Sequence, residues 1–228
     1  MCLAPEVDLV AGAAITVFAV DAIRHNRAGR TAPLALLPAV FAVHTFTSAF
    51  VWWGLRGVVP QAVGDAATNF FMFIAFVFLP IYVPISVFLL EPKGWRRDAL
   101  LLLAGAGTVS GIDYLLGMFD GRGDAVACNF YIDYTIDGVS SVTGVLYLIA
   151  TCGAFPLSGQ RPIVIWGVVN AVGVAVLSVA AQRGLPSLWC FLAACTSFFV
   201  AWYLRQLQQQ RSAGQPWPWE SPVREPVG

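Results

Sequence analysis

Charge is the scarcest property of this chain. Of its 228 residues 11% are charged and 58% hydrophobic, where a soluble domain carries roughly 25% charged residues. Too little polar surface remains to cover a water-exposed globule, which excludes an ordinary soluble fold and makes lipid the natural solvent. Lysine is scarcer still. Lys93 stands alone, in a loop between apolar runs, so a retinal Schiff base deep in a helix, and with it a seven-helix photoreceptor, is excluded. There are 2 histidines and 5 cysteines, with no CxxC pair and no His at ligand spacing, so no metal site is expected. Four of the cysteines lie in or beside apolar runs, where free Cys behaves as a small hydrophobe. The net charge is zero, with no basic patch to suggest a nucleic-acid partner. No basic segment precedes the first apolar run, so a cleaved signal peptide is not expected.

What the chain has instead is long apolar runs. Crossing about 30 Å of hydrocarbon takes about 20 residues of helix. Runs of that kind lie near 7–23, 33–56, 68–90, 99–118, 138–157, 162–181 and 186–207. The fifth and sixth are separated by Ser158-Gly159-Gln160-Arg161-Pro162, where Gly ends one helix and Pro opens the next. The expected fold class is therefore all-α, an integral membrane bundle of seven transmembrane helices. Short-loop Lys and Arg set orientation. One side receives ten of the thirteen: Arg24, Arg27, Arg30, Lys93, Arg96, Arg97, Arg161, Arg205, Arg211 and Arg224. The other receives Arg56, Arg122 and Arg183. The richer side is the cytoplasm, so the N-terminus is expected outside and the C-terminus inside, in the cell membrane. Residues 1–207 form the transmembrane domain. Residues 208–228, rich in proline toward their end, read as a disordered cytoplasmic tail.

Ionisable groups at membrane depth are functional candidates by default. Most acids here have an exit. Glu91 and Asp65 fall in loops, Asp98 begins a helix, Asp120 and Asp124 follow one, and Asp137 suits a helix N-cap. Asp21 can pair with Arg24 or Arg27. Asp113 is different, lying about 8 Å along the axis from the outer end of the fourth helix. It is either a proton donor facing the bundle interior or a carboxylate bonded to a neighbouring helix's hydroxyl. Asp133 sits in the aromatic run 129–134, which is expected to fold back over the bundle mouth, and points either into a cavity or into solvent. Asp8, one turn into the first helix, is a third candidate. His44, Thr45, Thr47 and Ser48 lie near mid-membrane on the second helix, and Asn170 lies at similar depth on the sixth. Thr and Ser can bond back to their own helix, so His44 and Asn170 are the ones that need partners elsewhere; packing through a hydrogen bond is the bland alternative for His44. Trp52, Trp53, Phe70, Phe71, Tyr114, Phe119, Phe130, Tyr131, Tyr134 and Trp189 fall toward the outer half. An interfacial belt accounts for some of them. An acid among aromatic faces also suits carbocation chemistry, which needs a proton source, dryness and π-faces.

The residues then carry a resemblance. Met1-Cys2-Leu3-Ala4-Pro5 with Asp8-Leu9-Val10-Ala11-Gly12 resembles the opening of a group of small bacterial membrane proteins that begin MCFSA. Asp21-Ala22-Ile23-Arg24-His25, Ala49-Phe50-Val51-Trp52-Trp53-Gly54-Leu55, Leu89-Leu90-Glu91-Pro92 and Ser187-Leu188-Trp189-Cys190 extend the likeness to about residue 207. Some members of the group look like membrane terpene cyclases of drimentine- and xiamycin-type indole-sesquiterpenoid biosynthesis. The resemblance implies protonation of an alkene or epoxide, ring closure through carbocations and loss of a proton, on a farnesyl chain attached to an indole or an indole-containing cyclic dipeptide. It implies no cofactor and no metal, and a magnesium-binding DDxxD motif is missing. Asp113, Asp133 and Asp8 would be the acids. His44, Ser48, Trp52, Trp53, Tyr114, Phe130, Tyr131, Tyr134, Asn170 and Trp189 would hold the prenylated substrate. One departure stands out: the group usually carries Gln and Glu on the second helix, where this chain reads His44 through Ser48. The alternatives are a small transporter, for which Pro80 and Pro84 would mark a broken helix, and a membrane protein with a structural or regulatory role.

Overall fold

A computed structural model describes residues 4–128 and 131–220, apart from the side chain of Gln182. The opening residues 1–3, Phe130 and the tail beyond 220 therefore lie outside the described residues. The helices are α1 (Pro5–His25), α2 (Ala32–Leu55), α3 (Gln61–Met72), α4 (Leu79–Phe88), α5 (Trp95–Phe119), α6 (Ser141–Ala154), α7 (Arg161–Ala180), α8 (Leu185–Thr196) and α9 (Phe198–Ser212). A π-helical stretch, Phe73–Phe78, joins α3 to α4, so residues 61–88 run as one rod. In the same way 185–212 is one rod, interrupted at Ser197.

Five of these helical segments are long and apolar enough to cross a membrane: 29–55, 61–88, 95–119, 161–180 and 185–212. α1 and α6 are not in that set. The shortfall of α6 has a local cause. Its apolar run predicts 138–157, but Ser140 caps the start, its hydroxyl accepting from the Thr143 amide at 3.2 Å, and the helix stops at Ala154. Pro156 lies just beyond, where it withholds an amide from the last turn. At 14 residues the helix is about 21 Å long. Asp137, the sequence's candidate cap, instead sits in the turn before it and gives its amide to the Arg122 carbonyl at 3.0 Å.

The fold is mostly helical, and the segment between α5 and α6 adds a short pair of strands to it. Gly123–Ala127 (β1) and Ile132–Ile136 (β2) pair as an antiparallel ribbon, with Ala125 opposite Tyr134 and Val126 opposite Asp133. Strand side chains alternate between faces: Ile132 and Tyr134 are buried while Asp133 lies between them on the other face. For reference, the end of the bundle bearing this ribbon is called the ribbon end. The opposite end, carrying Arg24, Arg30, Lys93, Arg96, Arg97 and Arg161, is the basic end.

The π-helical interruption of the 61–88 rod sits beside its prolines. Pro80 cannot donate an amide and its ring crowds the carbonyl one turn back; the π stretch widens the backbone at that place. α5 packs directly there. A Cβ on Gly107 would come within 1.9 Å of the Pro80 carbonyl oxygen, and one on Gly111 within 3.1 Å of that of Val77. Gly107-x-x-x-Gly111 is the small-residue spacing by which apolar helices approach backbone to backbone.

The core has two parts. Leu34, Leu37, Phe41, Val87, Leu100, Trp166 and Leu204 belong to the basic half, and Val51, Trp52, Phe71, Met72, Ile132 and Tyr147 to the ribbon half. The outward faces are apolar as well: Val17, Leu102, Ile112, Val145, Val172 and Val179 are exposed. Beyond the 207 boundary read from the sequence, α9 continues to Ser212. The chain then folds back, so that Trp217 and Trp219 pack against the basic-half core with their rings stacked 5.2 Å apart.

Candidate functional site

α6 carries Thr143, Tyr147 and Thr151 one turn apart, all buried, on the face turned to the bundle. Below Tyr147 a narrow, partly open cavity lies between α2, α4, α6, α7 and α8, its free volume of about 30 Å³ matching one or two waters. Phe41, Tyr147, Phe155, Trp166 and Trp189 form its aromatic walls, with Leu79, Val83 and Ala193 between them. Its polar contributors are Thr151, Asn170 and Cys190. Thr151 donates back to the Tyr147 carbonyl at 2.7 Å, so its proton is taken. The Asn170 amide donates to the Trp166 carbonyl at 2.9 Å, while its Oδ1 has no partner among the described residues.

An aromatic network continues from the cavity toward the ribbon. Tyr147 meets Trp189 edge-on at 5.8 Å and Tyr114 at 6.0 Å, and Phe76 lies 4.9 Å from Tyr114. Asp113 sits beside that network. Its Oδ2 accepts from the Thr143 hydroxyl at 2.5 Å, and Thr143 also contacts the Ser140 hydroxyl at 3.0 Å. The neighbouring-helix hydroxyl that the sequence left open for Asp113 is thus present. Thr143 stands four residues before Tyr147, so the carboxyl lies about 6 Å along α6 from the cavity wall. It is not itself a lining residue.

Residues 1–215 match a protein family described as a family of unknown function, DUF6629. The chain belongs to that family. No curated protein and no solved structure matches it.

In this DUF6629 member the remaining candidates divide. Asn170 and Trp189 line the cavity. His44, Ser48 and Trp52 are buried on α2, ribbonward of Phe41. The His44 ring stacks on Phe71 at 3.9 Å, and Phe71 stacks on Tyr134 of the ribbon at 4.2 Å. Asp8 is fully buried on α1. Tyr131 lies against Gly184, in the turn between α7 and α8, close enough that a Cβ there would meet its ring at 2.6 Å. Trp53 is outside the group: it packs edge-on against the exposed Phe50 on the outer surface. Asp133 is also outside it, on the ribbon face opposite Tyr134. The sequence places the cavity in the outer half, beneath 119–137. The ribbon's inner face is instead filled by Phe71, Met72 and Tyr134, and the space lies deeper. Among the described residues no three His, Cys, Asp or Glu side chains gather as a metal-binding group.

The largest surprise is Glu91. Read from the sequence as a loop residue, it is 1% exposed. Its Oε1 accepts from the Ser158 hydroxyl and the Gly159 amide, both at 2.8 Å. The Ser158 hydroxyl in turn accepts from the Gln160 amide at 3.1 Å, so the α4–α5 and α6–α7 turns are bolted together. Asp21 likewise pairs across the fold. Arg205 of α9, not Arg24 or Arg27, holds it through two bonds of 2.6 and 2.8 Å.

Proposed function

We propose that this chain is an integral membrane terpene cyclase with seven spans, its N-terminus outside and its C-terminus in the cytoplasm, acting on a farnesyl chain attached to an indole or indole-containing cyclic dipeptide. The observation that carries the reading is the aromatic cavity inside a bundle whose outward faces are also apolar. A prenyl chain dissolved in the bilayer would widen this narrow apolar space as it enters, between walls that carry five aromatic rings. Those rings offer their negative faces to a carbocation. The concentration of Arg and Lys at one end supports the orientation.

Asp113 is the proton source in this scheme. Thr143 occupies Oδ2, leaving Oδ1 to carry the transferable proton. The proton adds to a terminal alkene carbon, or to an epoxide oxygen. The π electrons of the next alkene close the ring, and loss of a proton from the last cation restores neutrality. For an alkene substrate the product has the mass of the substrate. Membranes containing the chain, incubated with a farnesylated indole, should yield a product of equal mass and altered retention. Asp113→Asn should reduce its formation at least about 100-fold without changing expression or melting. Full activity in that variant would remove Asp113 from the mechanism, and no product with the unaltered chain would remove the cyclase.

A further inference from the structure

Phe41, His44, Ser48 and Trp52 lie at i, i+3, i+7 and i+11 of α2 and are all buried. They form one stripe about 16 Å long that begins at the cavity wall and runs toward the ribbon. The stripe changes character along its length. Phe41 is cavity lining, whereas the next three are polar and 2%, 1% and 2% exposed. Neither ring nitrogen of His44, nor the Ser48 hydroxyl, nor Trp52 Nε1 has a hydrogen-bond partner among the described residues. A buried donor or acceptor left unpaired forfeits its hydration with nothing in return, and such groups are nearly always met by protein, water or ligand. Three in register on one helix face is a built arrangement. Neighbouring threonines behave differently: Thr45 next to His44 bonds the Phe41 carbonyl at 2.8 Å, and Thr16, Thr108 and Thr151 bond back in the same way, although Ser110 on α5 and Tyr203 on α9 also lack a partner among the described residues.

We infer that this stripe is the subsite for the head group of the cavity's ligand, and that the head group is neutral and both donates and accepts hydrogen bonds. A neutral imidazole presents one donor and one acceptor, a serine hydroxyl one of each kind, and an indole a donor. None of the three carries a fixed charge, so an anionic or cationic head gains nothing from them to offset its desolvation. An alcohol or a secondary amide, or a ring N–H beside a carbonyl, satisfies them together. Phe71 holds the His44 ring flat from one side, leaving its edge to meet the ligand. Placement then follows: the head lies ribbonward along α2 and the prenyl tail descends past Phe41 into the aromatic volume. This rests on the cavity being a prenyl site.

Three probes with one tail separate the ideas: farnesol, farnesyl methyl ether and farnesene, whose heads donate and accept, only accept, and do neither. Binding is measured to the full chain in lipid nanodiscs, net of empty discs. Farnesol should bind roughly tenfold or more tighter than farnesene, with the ether between them. Ser48→Ala, and His44→Phe, which keeps a ring on Phe71, should each lower the farnesol-to-farnesene ratio, and together bring it near one. Equal binding of all three probes by the unaltered chain overturns the subsite and leaves the prenyl cavity standing; water alone would then satisfy the stripe. A preference that survives both substitutions also overturns the subsite. Failure of every probe to bind overturns the cavity reading and this inference with it.

Discussion

The two ends of the bundle treat their buried polar groups in opposite ways. At the basic end Glu91 is buried and engaged by two donors, Asp21 is held by Arg205, and the Tyr82 hydroxyl donates to the Pro33 carbonyl at 2.8 Å. Tyr203 is the exception there, its hydroxyl lacking a partner among the described residues. Toward the ribbon, His44, Ser48, Trp52, Ser110 and Trp189 all keep polar atoms with no such partner. Matched pairs fix architecture where both partners are fully engaged; at the ribbon end Asp113 is also paired, with Thr143, but through one carboxyl oxygen. Unmatched groups at equal burial are a standing demand on water or ligand. The contrast separates the part of the molecule that holds the helices from the part available for chemistry.

The sharpest way to break this comparison is Glu91→Ala. It strips the Ser158 hydroxyl and the Gly159 amide of their acceptor, and bonds to a charged group are each worth about 1.5–3 kcal/mol. Stability to denaturant should fall by about 3 kcal/mol, with a matching loss of folded yield. A change below about 1 kcal/mol would show that the basic end is not a clamp. Next in size is Arg205→Ala. Its guanidinium is half exposed, so losing the bidentate pair with Asp21 should cost clearly less than Glu91→Ala, and part of that loss should disappear in high salt. The smallest effect sharpens the contrast. Ser48→Ala removes a hydroxyl that bonds no described residue, so stability should stay within about 0.5 kcal/mol or rise. A loss as large as that of Glu91→Ala would mean that Ser48 belongs to the framework.

Much of this fold is legible in the sequence because long apolar runs write themselves locally. The runs around 33–56, 68–90, 99–118, 162–181 and 186–207 each overlap, to within two residues at the far end, a segment able to cross a membrane. Boundaries are less legible. The 61–88 rod begins seven residues before the apolar run that announces it, since Gln61 through Thr68 mix polar and small residues. The ribbon left a period-two signal, Ile132, Tyr134 and Ile136, flanked by Gly121, Gly123 and Gly138; an all-α reading passes over it. Partners far apart in the chain are not legible at all. Glu91 and Ser158 are 67 residues apart and Asp113 and Thr143 are 30 apart, and no local pattern announces either pair. The depth of the cavity was hidden for the same reason, because its walls come from five helices.

The stack of His44, Phe71 and Tyr134 has one more consequence. Its three rings come from α2, α3 and the ribbon, so the seating of the ribbon and the pose of His44 share one contact surface. By thermodynamic reciprocity, a ligand that favours one pose of His44 shifts the ribbon's resting position by the same factor that the ribbon's position shifts the ligand's affinity. Occupancy of α2 would then be readable from outside the bundle, as slower hydrogen exchange in the amides of 123–136.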